Sequence, residues 1–356
     1  MHYRRKYIRL AVAALLTGIV LALVASAGIT GQSRTALDTG DGRLEVVDGV
    51  TVVTLAGSPR EMGRQHGILL GDRMLESEAA FRHIMPQIPG GAFGEWLLKI
   101  YVMFRLDGIE EHLTDAELDE MKGMAETGPD KDRDYRDLLY YHVLQDIGQN
   151  YACTGAAVCG SRSSLQGPVA GRNFDLNKDG VLDPLKTVFV YVPDEGKPYA
   201  TVAWPGMTGA VSGMNGYGLC VMVFSARTEG TSMSGVPVAF IARRVLASAK
   251  DVDDAVGLIS STPRMGSNVF LVADTRRAAA VEFDAYRVAV REVKNGVLPV
   301  ANHMLCEEFL SDEKNVRQKK YSDSRQRLDR VEQVLLKKRK AGPEEMLAAL
   351  RDHSGP

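Results

Sequence analysis

The chain has 356 residues, of which 45% are hydrophobic and 25% charged, a composition typical of a packed globular protein and not of a disordered one. The formal net charge is -2 at pH 7 and the sequence pI is near 6.4, so there is no electrostatic indication of nucleic-acid binding. A chain of this length suits one large domain or two small ones.

The first 27 residues have the pattern of a signal peptide. Basic side chains at positions 4–6 and 9 precede an uncharged apolar run over residues 10–24, and Ala25-Ser26-Ala27 supplies the small residues of a cleavage site. The run is shorter than the ~20 residues that a membrane-spanning helix needs, which favours removal over anchoring. We therefore expect a secreted or periplasmic protein with no stable membrane span after signal removal.

Residues 28–152 are predicted to form a mostly helical pro-segment that opens with a β-hairpin. The two strands lie within residues 43–56, with the turn at Asp48-Gly49. Residues 58–61 form a capping box with proline at the first helical position, so a helix begins there and runs to about residue 84. A second capping box at residues 114–117 opens a helix through residue 126, and a third helix is predicted at 135–147.

After Cys153 the pattern changes to short strands and turns. Strands are predicted at residues 154–159, 168–174, 186–192, 199–204, 209–214, 218–224, 268–273 and 278–284, with helices at 236–250 and 251–261. A further hairpin of strands 286–294 and 297–301 is predicted through the turn Asn295-Gly296. A basic helix over residues 322–340 and a short helix from Pro343 follow. The chain ends directly after that helix, which suggests a fragment of a longer protein.

This order of elements predicts an α+β fold, in which helices cover sheets of antiparallel strands. The four cysteines match no metal-binding or redox spacing, and in an oxidising compartment they have the number needed for two disulfides. Cys220 lies in an apolar run and is predicted to be a buried small hydrophobic residue. Cys153 alone has neighbours that suggest chemistry.

Cys153 begins a strand whose predicted partner returns with Arg172 and Asp175, so these side chains are expected near the thiol. A cut between Ala152 and Cys153 would give the thiol a free α-amino group, whose ordinary pKa of ~7.7–8.0 suits a general base. Arg172 would favour the thiolate and Asp175 would orient the amine. The residues alone leave open an ordinary strand cysteine beside a surface charge pair.

Two sequence segments carry a family resemblance. Cys153-Thr154-Gly155-Ala156-Ala157 and Gly171-Arg172-Asn173-Phe174-Asp175 resemble the opening strands of the choloylglycine hydrolase and acid ceramidase group of N-terminal-nucleophile (Ntn) hydrolases. The longer precursor, with its segment at residues 57–67, resembles the acyl-coenzyme A:isopenicillin N acyltransferase family, and the match spans residue 55 to about 330. The resemblance implies a four-layer αββα sandwich, self-cleavage between Ala152 and Cys153, and a catalytic chain over residues 153–356 to which the cleaved pro-segment is a possible partner.

The resemblance also implies the site residues and their roles. The nucleophile, its two contacting charges, two oxyanion-hole asparagines and an arginine that closes the site correspond to Cys153, Arg172, Asp175, Asn215, Asn302 and Arg325. Amide side chains are suitable donors for an oxyanion. Each of the last three has an ordinary alternative, because Asn215-Gly216 is a turn signal, Asn302 ends a strand, and Arg325 lies on a helix with a charged face.

The predicted function is an exported, self-processing cysteine Ntn hydrolase that cleaves a linear non-peptide amide, or transfers its acyl group, through a thioester on Cys153. The expected partner is a small-molecule amide substrate, with no nucleic acid, cofactor or metal. Residues 175–183 also fit the first nine positions of a calcium loop, although Lys186 stands where a bidentate Glu is needed. A catalytically inactive Ntn-fold or calcium-loop binding protein is therefore the alternative. A papain-like protease using His303 is a weaker one, and the acyl donor is open.

Overall fold

The computed structural model describes residues 36–39, 41–84, 91–147, 152–175, 180–352 and 354. The predicted signal peptide and residues 176–179 of the predicted calcium loop lie outside this part of the chain. Within it, no helix combines the length and the apolar character needed to cross a membrane.

The strands, in chain order, are β1 (Ala36–Thr39), β2 (Gly42–Val47), β3 (Val50–Gly57), β4 (Ala152–Val158), β5 (Val169–Asp175), β6 (Thr187–Pro193), β7 (Tyr199–Ala203), β8 (Ser212–Asn215), β9 (Cys220–Ser225), β10 (Asn268–Ala273), β11 (Ala278–Phe283), β12 (Val288–Glu292) and β13 (Val297–Val300). The α-helices are α1 (Pro59–Ile84), α2 (Gly91–Glu110), α3 (Asp115–Thr127), α4 (Tyr135–Ile147), α5 (Val238–Ser248), α6 (Val252–Ser261), α7 (Glu307–Leu310), α8 (Glu313–Tyr321), α9 (Ser324–Leu336) and α10 (Pro343–Leu350).

The described strands form two sheets. The larger has ten strands in the order β1-β2-β3-β6-β7-β8-β9-β10-β11-β12, and the smaller has the order β13-β4-β5. Neighbouring strands are antiparallel except β3 and β6, which run parallel from Thr51 opposite Thr187 to Gly57 opposite Pro193. The strands that precede Cys153 in the sequence are therefore built into the same sheet as the strands that follow it.

Three apolar interfaces separate four layers. Helices α1, α5 and α6 pack on one face of the large sheet, around buried residues such as Phe189, Phe240 and Phe270, and α3 packs on α1. The small sheet packs on the other face through a second cluster that includes Phe224 and Leu298. Helices α9 and α10 cover the outer face of the small sheet. The predicted α+β fold with four αββα layers is confirmed.

The local signals read from the first half of the chain are also confirmed. The β2–β3 hairpin turns at Asp48 (φ 49°) and Gly49 (φ 80°), and the left-handed backbone of both residues fits the tight turn that this dipeptide favours. Ser58 N donates to Glu61 Oε2 (2.9 Å) and Glu61 N to Ser58 Oγ (3.4 Å), which is the expected capping box. The box at Thr114 and Glu117 is present as well.

The predicted hairpin through Asn295-Gly296 is wrong in its pairing. The turn forms, with φ of 52° at Asn295 and 76° at Gly296, and Lys294 bridges to Val297. The flanking strands then separate, because β12 pairs with β11 in the large sheet while β13 pairs with β4 in the small one. All four β13 residues are buried, so tertiary packing overrides the local turn signal. The turn carries the chain from one sheet to the other.

Four of the strands and α-helices were not predicted from the sequence. These are strand β1 and the helices α2, α7 and α8. The predicted basic helix over residues 322–340 ends at Leu336. Helix α2 has an apolar composition with large side chains on its exposed side, such as Trp96 and Phe104, so it shows little of the alternation that marks an amphipathic helix.

Candidate active site

Cys153 is the second residue of β4, the middle strand of the small sheet, and it is fully buried between the two sheets. The sheets approach closely at this point because the next residues are small. A Cβ on Gly155 would lie 2.6 Å from the ring of Phe224 on β9, so only glycine lets the two strands pack this tightly. The sequence Cys-Thr-Gly therefore holds the thiol against the end of β9.

Strand β5 returns beside β4 as predicted. Ala152 lies opposite Asp175, Cys153 opposite Phe174, and Gly155 opposite Arg172. The Arg172 guanidinium stacks on the Phe174 ring at 4.4 Å and donates to the carbonyl oxygen of Val223 on β9. Asp175 lies at the exposed end of β5. The structure thus brings Arg172 and Asp175 to the strand end that carries Cys153.

Asn302 follows β13 and contacts the backbone of Cys153 directly. Its Oδ1 accepts hydrogen bonds from Cys153 N (2.6 Å) and from Arg327 Nη2 (3.0 Å). Its Nδ2 donates to the backbone oxygen (2.9 Å) and to Oγ (3.1 Å) of Ser225 at the end of β9. Because a backbone carbonyl only accepts and a backbone N–H only donates, these contacts define which way the amide points.

Arg327 completes the contacts around Cys153, and sequence analysis did not identify it. Its Nη1 donates to the carbonyl oxygen of Cys153 and to Thr154 Oγ1 (2.8 Å), while its Nε pairs with Asp323 (3.0 Å). The predicted Arg325 is not brought to this site. Its side chain is 66% exposed and lies 3.6 Å from Asp329 on the same helix.

Helical periodicity explains why Arg327 faces inward and Arg325 does not. At 3.6 residues per turn, two residues that are two apart point to nearly opposite sides of a helix. The inner face of α9 is marked by its buried residues, which are Ser324, Leu328, Val331 and Leu335. Arg327 belongs to that face. The spacing of the apolar residues of α9 therefore indicates that Arg327 points inward, which the family resemblance did not show.

Asn215 lies at the other end of the large sheet from Cys153. Its neighbour Met214 pairs with Cys220 at the start of β9, whereas the site lies at Ser225, at the other end of that strand. Five residues separate Cys220 from Ser225, which is roughly 16 Å at the usual rise per residue of a β-strand. The Asn215 Nδ2 donates to the carbonyls of Leu246 (3.1 Å) and Ala249 (2.8 Å). Its Oδ1 accepts two backbone N–H groups of the following turn. In this structure Asn215 holds the turn to the end of α5.

Ser225 and Ser324 are further polar residues of the site that sequence analysis did not identify. Ser225 contacts the Asn302 amide, and Ser324 Oγ accepts from the backbone N–H of Asn302 at 2.8 Å. His303 is also bound to Ser324, with 2.7 Å between its Nδ1 and Ser324 Oγ. Burial lowers the pKa of His303 to about 4, so this ring is neutral at physiological pH. Its position beside Ser324 gives it a structural role at the start of α9.

Opposing effects act on the ionisation of the thiol. Burial raises the pKa of Cys153, while the charge of Arg172, a hydrogen bond from Asn302 and the charge of Arg327 each act to lower it. Burial also lowers the pKa of Arg172 to about 10, against the effects of Cys153 and Asp175. In the uncut chain burial prevails and the thiol is protonated at neutral pH. The surrounding cations would stabilise a thiolate once solvent or a base reaches it.

A cleft of about 610 Å³ opens beside Ala152, the residue that precedes the buried Cys153. Its lining includes Ala152, Asn302 and Arg327, so the cleft reaches the bond that precedes the cysteine. The other lining residues are Arg227, Lys314, Arg317, Gln318, Tyr321, Ser322 and Asp323.

The described residues contain no group of three or more His, Cys, Asp or Glu side chains arranged to hold a metal ion. In the predicted calcium loop, Asp183 pairs with Lys186 at 2.6 Å, so the residue at the twelfth loop position neutralises a carboxylate where a calcium ligand is needed. The four cysteines, all of them in the described part of the chain, form no disulfide in this structure.

Residues 164–356, more than half of the chain, match the family model of acyl-coenzyme A:6-aminopenicillanic acid acyl-transferase. The chain belongs to this acyl-transferase family. The matched range begins after Cys153, so the family assignment rests on the strands, helices and site residues that follow the cysteine.

Two sequence relatives extend beyond this chain. An uncharacterized protein from Archaeoglobus fulgidus is 24% identical over an alignment 311 residues long, which covers 74% of this chain and 52% of the relative. Protein dcd1A from Dictyostelium discoideum is 22% identical over an alignment 274 residues long, which covers 68% of this chain and 60% of the relative. The chain therefore spans between half and two thirds of the length of these relatives.

Several solved structures are similar at low identity. The Caenorhabditis elegans ortholog of N-acylethanolamine-hydrolyzing acid amidase aligns with 16% identity and a TM-score of 0.42, over 57% of this chain and 87% of that one. A mutant of the conjugated bile acid hydrolase from Clostridium perfringens aligns with 16% identity and a TM-score of 0.31, over 44% and 55%. Penicillin V acylase from Agrobacterium tumefaciens aligns with 13% identity and a TM-score of 0.32, over 56% and 62%.

Proposed function

We propose that this chain is a self-processing amidase or N-acyltransferase whose nucleophile is the thiol of Cys153. The observation that carries the proposal is the convergence of Asn302 and Arg327 on the backbone of one buried cysteine. Asn302 Oδ1 accepts from the nitrogen of Cys153, and Arg327 donates to its carbonyl oxygen. Contacts of this kind are what a catalytic N-terminal residue needs, because its amine has to be held in a fixed position.

Self-cleavage would convert the buried cysteine into that terminal residue. The Cys153 Sγ attacks the Ala152 carbonyl carbon, the C–N bond breaks, and the thiol proton passes to the departing nitrogen. Water then hydrolyses the Ala152 thioester, leaving a carboxylate on Ala152 and a free amine and thiol on Cys153. Ala152 lines the cleft, which supports water access to this ester.

Turnover of a substrate amide would follow the same chemistry. The freed α-amine takes the thiol proton while Sγ attacks the substrate carbonyl, and it then gives that proton to the leaving amine. Water or an acceptor amine resolves the thioester. Arg172 supports the thiolate, and Asn302 holds the amine next to the sulfur.

The test is the intact mass of the purified protein and of its Cys153→Ala variant. The proposal predicts two fragments from the parent chain, one of which begins at Cys153, and one uncut chain from the variant. Cys153→Ser is the matched second variant, because a hydroxyl keeps the geometry and is a weaker nucleophile. A parent chain that stays whole under conditions in which it is folded would refute self-processing.

We also propose that the protein is exported. The support is the sequence of residues 4–27, a basic stretch, an apolar run and a small-residue cleavage site. Expression with a fused reporter in a bacterial host, followed by fractionation, tests this, and retention of full-length protein in the cytoplasm would refute it.

A further inference from the structure

Two of the four cysteines lie at the end of the sandwich that is opposite to the candidate nucleophile. Cys159 directly follows β4, and Cys220 is the first residue of β9 in the large sheet. Both side chains are buried in the apolar cluster between the two sheets. Six residues along β4 separate Cys159 from Cys153, which is roughly 20 Å at the usual rise per residue of a β-strand.

The strand pairing brings the two thiols to adjacent positions of the large sheet. Cys220 lies opposite Ala273 on β10, and Ala273 lies opposite Ala278 on β11. All three side chains belong to the cluster that faces the small sheet. The Cys220 thiol contacts the backbone of Ala273, and the Cys159 thiol contacts the backbone of Ala278. The two sulfur atoms therefore lie over neighbouring strands, whose usual spacing is about 5 Å.

The two sheets approach closely at this end. A Cβ on Gly167, in the loop between β4 and β5, would lie 2.7 Å from the carbonyl oxygen of Thr275 in the β10–β11 turn. Only glycine therefore lets this loop of the small sheet touch the large one. The side chains packed between the sheets here are also small; they include Ala157, Ala273 and Ala278. A disulfide needs Cα atoms within about 7 Å, and small side chains between the sheets favour such an approach.

The two thiols also share a charged neighbour. Burial raises the pKa of both Cys159 and Cys220 to about 11, and the nearby carboxylate of Asp274 acts in the same direction on each. Cys159 itself adds to the effect on Cys220. Since neither thiol ionises at neutral pH in the folded protein, oxidation has to take place while the chain folds and solvent still reaches the sulfur atoms.

The remaining two cysteines lie apart from this pair. The Cys306 thiol contacts the carboxylate of Glu282 on β11, and burial and this carboxylate raise its pKa to about 12. Glu282 is four residues from Ala278, or roughly 13 Å along the strand. Cys153 lies at the other end of β4. Oxidation of Cys159 with Cys220 would therefore leave the candidate nucleophile free.

We propose that Cys159 and Cys220 form a disulfide that joins the small sheet to the large one and stabilises the folded protein. The thiolate of one cysteine attacks a disulfide oxidant such as oxidised glutathione, and one thiol of the oxidant leaves. The other cysteine then attacks the mixed disulfide and displaces the second thiol. The two protein thiols thus lose two electrons and two protons, and the oxidant is reduced to two thiols.

The bridge would close a loop of about 60 residues, which restricts the unfolded chain and so favours the folded one. Both cysteines follow the proposed cut, so the bridge would form within one polypeptide whether or not the chain is cleaved. The inference uses the proposed export only as the source of an oxidising compartment, and it does not depend on the amidase.

The test expresses the full-length chain in two bacterial hosts, one with an oxidising and one with a reducing cytoplasm, so that it does not depend on export. N-ethylmaleimide blocks free thiols during lysis in denaturant, and peptide mapping without reductant locates labels and bridges. We expect protein from the oxidising host to be labelled at Cys153 and Cys306 only and to give a peptide that links Cys159 to Cys220. Protein from the reducing host should be labelled at all four cysteines.

Thermal unfolding measures the contribution of the bridge. Dithiothreitol should lower the unfolding midpoint of protein from the oxidising host by about 5 °C or more. Cys220→Ala should lose this sensitivity to dithiothreitol, since alanine fits the apolar cluster but forms no bridge. Cys306→Ala is the matched control and should keep it.

Two results would overturn the inference. Folded protein from the oxidising host that is labelled at Cys159 and Cys220, or that links a different pair, would show that this disulfide does not form. A mapped bridge whose reduction leaves the midpoint unchanged would overturn its stabilising role. The mapping uses the parent chain, so the result does not depend on the folding of a variant, and neither measurement uses amide turnover.

Discussion

The side-chain oxygen of Asn302 lies 2.6 Å from the backbone nitrogen of Cys153, although the two residues are 149 positions apart in the sequence. This short contact joins the end of β13 to the start of β4, the strand with which β13 pairs. Replacing Asn302 by Leu removes the acceptor while keeping a similar volume. We expect cleavage before Cys153 to slow by about 10²-fold or more, the scale of losing one oriented polar group at a reacting centre.

Intact mass at a series of times after purification gives the cleavage rate of the Asn302→Leu variant, and a thermal unfolding curve shows whether it is folded. A folded variant that is cut at the parental rate would remove Asn302 from the proposed mechanism.

The second prediction separates two arginines of α9. Arg327→Gln is expected to lower both self-cleavage and amide turnover by about 10- to 100-fold, because it removes donors to the Cys153 carbonyl and to Asn302. Arg325→Gln is expected to change neither rate by more than about twofold, because Arg325 is exposed and its ion pair is with Asp329 on the same helix. The reverse ranking of the two variants would show that the contacts of Arg327 are only structural.

The third prediction concerns thiol reactivity. Cys153 is fully buried and burial raises its pKa in the uncut chain, while Cys306 is only partly buried. In a partially cut preparation treated with iodoacetamide, we expect the uncut chain to take label mainly at Cys306. The fragment that begins at Cys153 should be labelled at that residue at least about tenfold faster, since its thiol then has a base next to it. Peptide mapping measures both species in one sample, and equal rates would contradict the prediction.

The fourth prediction concerns the buried ion pair between the two halves of the chain. Glu120 on α3 and Arg243 on α5 form a bidentate pair, with 2.9 Å from Arg243 Nη1 to Glu120 Oε1, and both side chains are buried. Glu120→Gln should lower the free energy of unfolding by about 3–5 kcal/mol, because it leaves the Arg243 charge buried without its partner. Glu126→Gln on the same helix is the control. Its pairs with Arg60 and Arg64 are exposed and screened by solvent, so this substitution is expected to change the free energy of unfolding much less than Glu120→Gln does. Urea denaturation compares the variants.

The fifth prediction follows from two buried histidines. His66 Nε2 accepts from Gly206 N at 2.9 Å, and His142 Nε2 accepts from Thr208 N at 3.1 Å. Burial lowers their pKa values from 6.5 to about 3 and about 4, respectively. As the pH falls, these histidines therefore bind protons in the unfolded chain before they do so in the folded one. Their contribution to the free energy of unfolding is complete above about pH 6.5 and is lost progressively toward pH 4. Between pH 7.5 and 5, the free energy of unfolding of His142→Gln should fall by about 2 kcal/mol less than that of the parent protein. An unchanged slope would contradict the assignment.

The fold and the site were predictable to different depths. Capping boxes, the Asp48-Gly49 turn and the return of β5 beside Cys153 depend on local chemistry, and they appear where the sequence indicates. The separation of β12 from β13 depends on how each strand pairs with another strand, β12 with β11 and β13 with β4. A local sequence pattern does not contain this information. Helix α2 was missed because its apolar residues are spread around its surface.

The site residues divide in the same way. Arg172 and Asp175 follow from the hairpin, and Asn302 lies against Cys153. The family resemblance pointed to Arg325, but the residue on the packed face of α9 that reaches the site is Arg327. It also pointed to Asn215, but the polar residue at the site is Ser225, at the end of β9. In both cases the residue that reaches the site is determined by the position of a helix face or a strand end relative to β4, and this emerges only from the packing of the sheets.

The parallel pairing of β3 with β6 has a consequence for how the protein refolds once it is cut. Before the cut, these strands find each other within one chain, and refolding is a first-order process that is independent of protein concentration. After a cut before Cys153, the same pairing becomes an encounter between two separate polypeptides. Recovery from denaturant would then be second-order and strongly dependent on dilution, so the processed protein would hold its structure mainly by unfolding slowly.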